Sequence, residues 1–360
     1  MSTALRIERW TGLEPLRREQ AAWQALCVNA VPPCNEPLWT LSYAQDRHAE
    51  ADCFALAARD ERGALVGLLT LAREPARAWW ALKRARHLSD GSFDSEMLAP
   101  LCAAGREAEF AEALLDALGA ERGLHALVLF CASPQVPALR ALLDAARARG
   151  WPLREEPRTY LVAPLEPDFE ATLAALKSRM RTKVRQALRS IDERRAGARW
   201  IMQAAELPRA LDALYELHQA RWQADGRVGS FADPARRAFY ARWTSAALSA
   251  GRLRLALLER DGSALAAQVG IATPGGVPTY TQLQEGYDPR ESEWRPATAL
   301  RAWAMRELCG EGMRRVDFQE GDAPHKRDWG GVEVPCSTLV LGLPRWRTQA
   351  EFALRARLRR

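Results

Sequence analysis

The stretch GEGMRRVDFQEGDA, residues 310–323, joins the end of a helix to an apolar strand that breaks into acidic residues. Earlier in the chain, ERGLHALVLFCASP at residues 121–134 has the same order of glycine, apolar strand and turn. In this alignment Gly123 matches Gly312. The match indicates a duplicated helix–strand unit, although any two α/β units resemble one another over so short a stretch.

Two hairpins support the duplication. Residues 54–74 and 253–273 each contain two apolar-rich runs, which are separated by turn residues at Asp60–Gly63 and at Asp261–Gly262. In each half, a helix then leads into a buried strand. The apolar periodicity predicts helices at about 15–29, 106–121, 138–149, 168–196 and 296–310, and strands at about 125–130, 278–284 and 313–318.

These elements predict an α/β (α+β) protein with two tandem domains, each a mixed twisted sheet flanked by helices. We place the first domain at residues 1–165 and the second at residues 166–345. Residues 346–360 form a basic C-terminal helix in this division.

The composition is that of a globular protein large enough for two domains, with 360 residues, 48% of them hydrophobic and 27% charged. No apolar run is long enough for a membrane span, and the first 20 residues lack the apolar core of a secretion signal. Seven cysteines without a C-x-x-C pair favour free thiols over a disulfide or zinc framework. These features predict a cytoplasmic protein, and the net charge of +6 is compatible with an anionic partner.

The two copies of the strand differ in polarity at its carboxyl end. Four polar residues of the second copy stand where the first copy has Val128, Phe130, Cys131 and Ser133; they are Asp317, Gln319, Glu320 and Asp322. Ligands of open α/β sheets collect at the carboxyl ends of strands. We therefore expect the functional site in the second half of the chain.

The predicted helix 168–196 has one apolar face and a strongly basic remaining surface. The basic residues are Lys177, Arg179, Arg181, Lys183, Arg185, Arg189, Arg194 and Arg195. Two interpretations stay open. The surface is either a solvated charged face, or it binds phosphates.

Three motifs in this order resemble a known family. They are LKSRMRTKVRQALR at 176–189, LHQARWQADGRVGSF at 217–231 and DFQEGDAPHKRDWG at 317–330. Together they resemble the GNAT-superfamily acyltransferases of the CelD-like group, relatives of the FemAB peptidyltransferases. The resemblance implies tandem GNAT-like domains. It also implies an acyl-CoA-dependent N-acyltransferase that acts on an amine of a sugar or of a cell-envelope or exopolysaccharide precursor.

The same resemblance implies acetyl-CoA or another acyl-CoA as co-substrate, and no metal. Enzymes of this superfamily hold the pyrophosphate at the start of a helix, where free backbone N–H groups favour anions. Here the segment is EWRPATAL at 293–300, so Arg295, Ala297 and Thr298 are the expected contacts. The family often has Ser-Pro-Gly where this chain has Arg-Pro-Ala. Without this glycine, a phosphate has less room to come close to the backbone. Arg295 is expected to compensate with a charge-assisted hydrogen bond.

Aminolysis of a thioester needs a proton acceptor for the amine and a proton donor for the leaving thiolate. Asp317 or Asp322 is expected to accept the proton. His325 is expected to donate one, because an imidazole titrates near neutral pH and stands here where the family usually has tyrosine. Lys326, one of only four lysines beside 47 arginines, is expected to stabilise an oxyanion or phosphate. Ion pairs between this lysine and the neighbouring acids are the structural alternative.

Five residues are expected on the acceptor side, namely Arg181, His218, Arg221, Trp222 and Gln319. In the resembled family, the segment that contains Arg221 and Trp222 lines the acceptor cleft. His218 lies on the apolar side of its helix, so an alternative is a histidine of the core. For Arg221 and Trp222 the alternative is a structural cation–π contact.

Two further functions stay open at this point. One is a FemAB-like peptidyltransferase that uses aminoacyl-tRNA, with the basic helix on tRNA phosphates. The other is a non-catalytic GNAT pair that binds an anionic polymer or a partner. The arginine-rich C-terminal helix is expected either to dock on the protein or to contact an anionic membrane surface peripherally.

Overall fold

The structure is a computed structural model, which describes residues 5–27, 32–75, 81–91 and 94–358. The chain divides into two units, one of residues 1–159 with 335–360 and one of residues 160–334. Among the described residues, no helix is both long and apolar enough to cross a membrane.

The first unit begins with one strand and three short helices, continues with four strands, and then alternates helices and strands. In chain order its first elements are β1 (Arg6–Thr11), α1 (Glu14–Arg18), α2 (Gln20–Leu26), α3 (Pro37–Arg47), β2 (Cys53–Arg59), β3 (Leu65–Arg73), β4 (Arg84–His87), β5 (Leu101–Cys102), α4 (Glu107–Ala120), β6 (Ala126–Ala132), α5 (Pro137–Ala148) and β7 (Leu153–Pro157).

The second unit follows without interruption. Its elements are β8 (Tyr160–Pro164), α6 (Phe169–Ala175), α7 (Ser178–Glu193), β9 (Gly197–Trp200), α8 (Leu207–Ala224), α9 (Pro234–Ser249), β10 (Leu253–Arg260), β11 (Ser263–Thr273), β12 (Thr279–Tyr287), α10 (Pro296–Gly310), β13 (Arg315–Glu320), α11 (Pro324–Asp328) and β14 (Val332–Val334). The chain then returns to the first unit with β15 (Ser337–Gly342) and α12 (Trp346–Leu358).

Each unit contains one mixed sheet, and the two sheets have the same design. The first has the order β1-β2-β3-β4-β6-β15-β7, with β5 paired to β3. The second, read in the same direction, is β9-β10-β11-β12-β13-β8-β14. In each sheet a single described strand pair is parallel, β4 with β6 and β12 with β13. The predicted fold class, two mixed sheets flanked by helices, is confirmed.

The boundaries between the units differ from the expected ones because the chain crosses between sheets with single strands. We expected β8 in the first domain and β15 with the second, but β8 pairs with β13 and β15 pairs with β6. Leu161 and Ala163 of β8 are buried in the core of the second unit, and Leu339 and Leu341 of β15 in that of the first. The C-terminal helix belongs to the first unit and is not a separate domain. Its last residues, 359 and 360, lie outside the described part.

Two predicted helices are interrupted. The helix expected at 168–196 is α6 and α7, separated by Leu176 and Lys177 in extended conformation. The Arg181 side chain donates to the carbonyl oxygens of Leu176 at 2.6 Å and Ala174 at 3.3 Å, which satisfies acceptors that the break exposes. The helix expected at 15–29 is α1 and α2, and its last residues, 28 and 29, lie outside the described part.

The expectation that all cysteines are free thiols is wrong for one pair. Cys131 and Cys336 form a disulfide, with Cα atoms 5.5 Å apart. They are brought together because β6 and β15 are neighbours in the sheet, although the two cysteines are 205 residues apart in the sequence. The other five cysteines, all within the described residues, are not in disulfides.

The second unit packs helices on both faces of its sheet. On one face, α6, α7 and α10 cover Ala272, Tyr280 and Val316. On the other face α8 lies directly on β12, and the contact is closest at Gly286. A Cβ atom at Gly286 would lie 2.3 Å from the His218 nitrogen and 2.6 Å from the Leu217 carbonyl carbon. The closeness of α8 to β12 therefore requires glycine at this position.

We expect Gly286→Ala to lower the free energy of unfolding by about 1–3 kcal/mol, because a rigid backbone must move to admit one methyl group. The matched control is Gly310→Ala in the last turn of α10, where a Cβ atom would have no neighbour within 4 Å. That change should be neutral or stabilising by about 0.5–1 kcal/mol. Thermal and urea unfolding of both variants test this, and equal stabilities would contradict the close packing of α8 on β12.

Candidate active site

Strands β12 and β13 separate in the middle of the second sheet. Their parallel pairing is confined to three residue pairs and ends at Thr281 and Asp317. Beyond this point β13 is bulged against β8, and Gln319 has a φ of 62°, in the left-handed region. The carboxyl end of β13 and the second half of β12 are therefore not paired with each other. Such an opening is where open α/β sheets bind ligands.

Asp317 lies at the start of this opening and is buried, with 8% of its surface exposed. Its Oδ2 accepts a hydrogen bond from the Tyr160 hydroxyl at 2.6 Å, and its Oδ1 accepts one from the Gln319 backbone N–H at 2.8 Å. Burial raises the pKa of Asp317 to about 6, although the two hydrogen bonds and the Lys326 charge act in the opposite direction. This carboxyl group therefore titrates close to neutral pH.

Lys326 fixes the turn that follows β13. Its Nζ donates to the backbone oxygens of Glu320 at 2.5 Å and Gln319 at 3.3 Å. Gly321, at the centre of the turn, has a φ of 111°, which only glycine adopts readily. Lys326 therefore holds the left-handed turn closed. These contacts favour a structural role for Lys326 over the expected role at an oxyanion or phosphate.

Asp322 does not join Asp317. Its carboxylate is paired with Arg327, which also contacts Glu333, and more than half of its side chain is exposed. The hydrogen bond from Arg327 lowers the pKa of Asp322. The structure thus separates the two acids that were expected to share the role of proton acceptor.

His325 lies on α11, beside a cluster of charges that the sequence analysis did not identify. Partial burial lowers its pKa and Arg301 lowers it further, while Glu285 acts in the opposite direction. Lys326 and Arg221 are the other cations that act on the ring. His325 itself is exposed, so a ligand has access to it. The lowered pKa keeps the imidazole neutral at pH 7, and a neutral imidazole accepts protons.

Glu285 and Arg301 form the buried part of this cluster. Glu285 is in the half of β12 that does not pair with β13, and it accepts hydrogen bonds from Arg301 and from Gln282. Burial raises the pKa of Glu285, but Arg301, His325 and Arg221 together hold it below its ordinary value. Arg301 is 5% exposed, and its guanidinium lies 5.7 Å from the Phe318 ring and 5.8 Å from the Trp329 ring. Glu285 is therefore a carboxylate at neutral pH.

His218, which was expected to bind substrate, is a residue of the core. It is 1% exposed, and its Nε2 accepts a hydrogen bond from the Trp222 indole at 2.9 Å. Burial lowers its pKa to about 4, so the ring is neutral. The Phe231 ring packs against it at 4.9 Å. These contacts connect α8 to the loop before α9, and they use only the Nε2 side of the ring.

Arg221 and Trp222 form a partly exposed pair next to this core. The Arg221 guanidinium lies 5.1 Å from the Trp222 ring, and that of Arg227 lies 5.8 Å from it. Arg221 also acts electrostatically on Glu285 and His325. The expected structural cation–π contact is thus present, and Arg221 also reaches the candidate site.

Gln319 and Arg181 are engaged with the backbone of the second unit. The backbone oxygen of Gln319 accepts a hydrogen bond from Lys326, and its backbone N–H donates one to Asp317. The Gln319 side chain is buried. Arg181 binds the carbonyl oxygens at the end of α6. Neither position favours the expected contact with an acceptor.

The start of α10 carries the residues that were expected to bind acyl-CoA. Arg295 is exposed and has a left-handed backbone, with φ 60° and ψ 61°. Ala297 and Thr298 are partly exposed in the first turn, where the Thr298 N–H donates to the Arg295 oxygen at 3.0 Å. Burial lowers the pKa of Lys183 on α7, and Arg295, Arg179 and Arg301 lower it further. Asp328 acts in the opposite direction, so the positive charge of α7 and the start of α10 is partly offset.

Three site residues were missed by the sequence analysis: Tyr160, Glu285 and Arg301. Glu285 had a signal, because three polar residues in QLQEGY, 282–287, are unusual in a central strand. Arg301 is a cation inside the apolar run ALRAWAM, 299–305, which also suggests a buried partner. For Tyr160 there was no such signal, because nothing in the neighbouring sequence indicates that β8 joins the second sheet. Within the described residues, no group of three or more histidine, cysteine or acidic side chains could hold a metal ion.

The raised pKa of Asp317 predicts how stability depends on pH. Because the pKa in the folded state, about 6, is above the ordinary value of 3.8, the folded protein binds this proton more tightly than the unfolded chain. The contribution of Asp317 to the free energy of unfolding is therefore greatest below pH 4, and about 2–3 kcal/mol of it is lost as the pH rises to 6 and above. Denaturant unfolding between pH 4 and 7 measures this slope.

Asp317→Asn should remove that slope, whereas Tyr160→Phe should move it to higher pH, since a hydrogen bond to the carboxylate is lost. Asp322→Asn is the matched control, because the pKa of Asp322 is lowered and its contribution has the opposite sign. An identical pH dependence in wild type and Asp317→Asn would contradict the assignment.

Comparison with known protein families finds a sequence match within the second unit. Residues 178–327 match the model of a family described as an acetyltransferase (GNAT) domain. No curated protein is significantly similar in sequence to the chain.

The fold is similar to several solved structures at low sequence identity. FemX is 14% identical with a TM-score of 0.65, and the similarity covers 94% of this chain and 97% of FemX. L-PGS from Bacillus licheniformis is 10% identical with a TM-score of 0.55, with coverage of 96% and 97%. A tandem GNAT protein from the clavulanic acid biosynthesis pathway is 17% identical with a TM-score of 0.47, with coverage of 93% and 98%. Residues 178–327 of the second unit are thus similar in sequence to a GNAT-type acetyltransferase domain, and the fold of the chain is similar to that of FemX.

Proposed function

We propose that this chain transfers an acyl group from acyl-CoA to an amine, and that the reaction takes place where β12 and β13 separate. The acceptor in this proposal is an amine of a sugar or of a cell-envelope precursor, as in the CelD-like group that the sequence resembles. The observation that carries it is His325, an exposed and neutral imidazole at that opening with a carboxylate, Glu285, acting on it. A cytoplasmic location, where acyl-CoA is supplied, is part of the same proposal.

In the proposed reaction His325 moves the proton. The amine nitrogen attacks the thioester carbonyl carbon, and the proton that the nitrogen loses passes to the imidazole. The C–S bond then breaks, and the imidazolium returns this proton to the leaving thiolate. Glu285 stabilises the imidazolium between the two steps, because its charge favours the protonated ring.

Asp317 and Lys326 act as positioning residues in this proposal. Asp317 is tied to Tyr160 and to the Gln319 backbone, and Lys326 to the two carbonyl oxygens of the bulge. Together they fix the turn between β13 and α11, from which His325 projects. Asp322 has no part in the reaction, since it is paired with Arg327 in solvent.

The phosphates of the donor are proposed to bind at the start of α10. Arg295, Lys183 and Arg179 bring three cations to a helix N-terminus, and that combination favours anions. Arg295 thereby offers a charged contact where the family often has the more permissive Ser-Pro-Gly.

We expect His325→Phe to lower kcat for CoA release about 100-fold or more, since a proton carrier is lost. His325→Tyr should retain more of the activity, because a phenol also donates and accepts protons. The rate of CoA release from acetyl-CoA and longer acyl-CoA donors, with a panel of amines, measures the effect. Wild-type kcat in His325→Phe would exclude the proposed mechanism.

We expect the double change Arg295→Ala and Lys183→Ala to weaken CoA binding about tenfold or more, with a smaller salt dependence. The matched control is Arg290→Ala in the preceding loop, where the side chain is exposed and paired with Asp288. Calorimetric titration of CoA at two salt concentrations measures both. Equal CoA affinity in the double variant and in the control would move the phosphate site elsewhere.

A second candidate function is transfer from an aminoacyl-tRNA. It is favoured by the cations that α7 and its ends expose to solvent, which are Lys177, Arg179, Arg185, Arg189, Arg194 and Arg195. The fold similarity to FemX is consistent with it. Titration with tRNA distinguishes the two, because phosphate contacts along α7 would make binding steeply salt-dependent. Absence of turnover with either donor, together with tight binding of a polyanion, would instead indicate a non-catalytic module.

A further inference from the structure

The C-terminal helix α12 is fixed to the first unit by one face. Thr348 is fully buried, and its hydroxyl donates to the His125 carbonyl oxygen at 3.1 Å. Phe352, one turn further on, packs against a small core of Ala126, Val128 and Val340. The approach is close, since a Cβ atom at Gly342 would lie 2.6 Å from a methyl group of Thr348. The orientation of the helix is therefore set by its buried side.

The opposite face of α12 is exposed, and it is apolar from Trp346 to Leu354, before Arg357 in the last turn. Trp346 is 77% exposed and Leu354 is 58% exposed, and Ala350 and Ala353 are exposed between them. At roughly 100° per residue, these four side chains fall on one third or less of the helix circumference. A soluble protein does not usually leave a tryptophan and a leucine together on one exposed helix face.

Cations surround this apolar face. Residues 345–360 contain six arginines and a single acid, Glu351, which is paired with Arg355 and with Arg84. At the start of the helix, burial lowers the pKa of His125, and Arg347, Lys83 and Arg345 lower it further. Three cations, Arg345, Arg347 and Lys83, therefore lie close together at the start of the helix, next to Trp346.

We propose that α12 binds the surface of a bilayer that contains anionic lipids, with the helix in the membrane plane and Trp346 and Leu354 in the headgroup region. An apolar face bordered by arginines is the pattern of helices that lie in the membrane interface. Each cation near an anionic leaflet adds to the attraction. Nucleic acid would use the arginines but would gain little from the exposed leucine. This inference does not depend on the reaction proposed for the second unit.

The test is sedimentation of the full chain with phosphatidylcholine vesicles, with and without phosphatidylglycerol. The chain should bind only the anionic vesicles, and binding should weaken as salt is raised. The double change Trp346→Ala and Leu354→Asp should lower the partition coefficient about tenfold or more. The matched control is Met202→Asp in the second unit, where an apolar side chain of similar exposure, 59%, is removed. Circular dichroism and melting temperature should be unchanged in both variants.

Unchanged vesicle binding by the Trp346→Ala and Leu354→Asp variant overturns the proposal. Failure of the wild type to bind anionic vesicles also overturns it. In that case, RNA binding that is equally tight in the wild type and in the double variant is the informative result. That result would assign the basic surface to nucleic acid.

Discussion

The site in the second unit depends on the hydrogen bond from the Tyr160 hydroxyl to the Asp317 carboxylate. Tyr160 arrives on β8, the strand with which the chain enters the second sheet, and Asp317 lies where β13 stops pairing with β12. The other oxygen of the carboxylate holds the Gln319 N–H, and this fixes a bulge with a left-handed residue. Lys326 then binds the carbonyl oxygens of that bulge. The position of His325, one residue earlier on α11, follows from this chain of contacts.

Burying Asp317 and Arg301 costs free energy that the surroundings must offset. An ion inside a protein loses its hydration, and only partners of good geometry repay the loss. Arg301 is offset by Glu285 and by two aromatic rings, whereas Asp317 has two hydrogen-bond donors and only the Lys326 charge. The difference explains why the carboxyl group of Asp317 keeps a proton up to about pH 6 and that of Glu285 does not. Two acids near the same opening thus lose their protons in different pH ranges.

Local patterns in the sequence predicted most of the elements but not the pairing of distant strands. The 253–273 hairpin, α10 from Pro296 and the strand that carries Asp317 follow from periodicity and turn residues. The break between α6 and α7 does not, because it is stabilised by a side chain, Arg181, that reaches back five residues to the Leu176 carbonyl oxygen. The exchange of β8 and β15 between the sheets is also invisible, since both are short apolar strands next to the expected boundary. The partners of the site residues were missed for the same reason: Tyr160 and Asp317 are 157 residues apart.

The family that the sequence resembles usually has tyrosine at the position of His325, and a histidine there is consistent with the electrostatic surroundings. Arg301, Lys326 and Arg221 all act on this position, and each favours a neutral ring over a protonated one. A phenol among these cations would donate its proton more readily than usual, while an imidazole there stays neutral and accepts one. The change therefore moves the resting group from proton donor to proton acceptor. Glu285 limits the shift, because its negative charge favours the protonated ring. The balance between Arg301 and Glu285, rather than the identity of the ring alone, sets what this position can do.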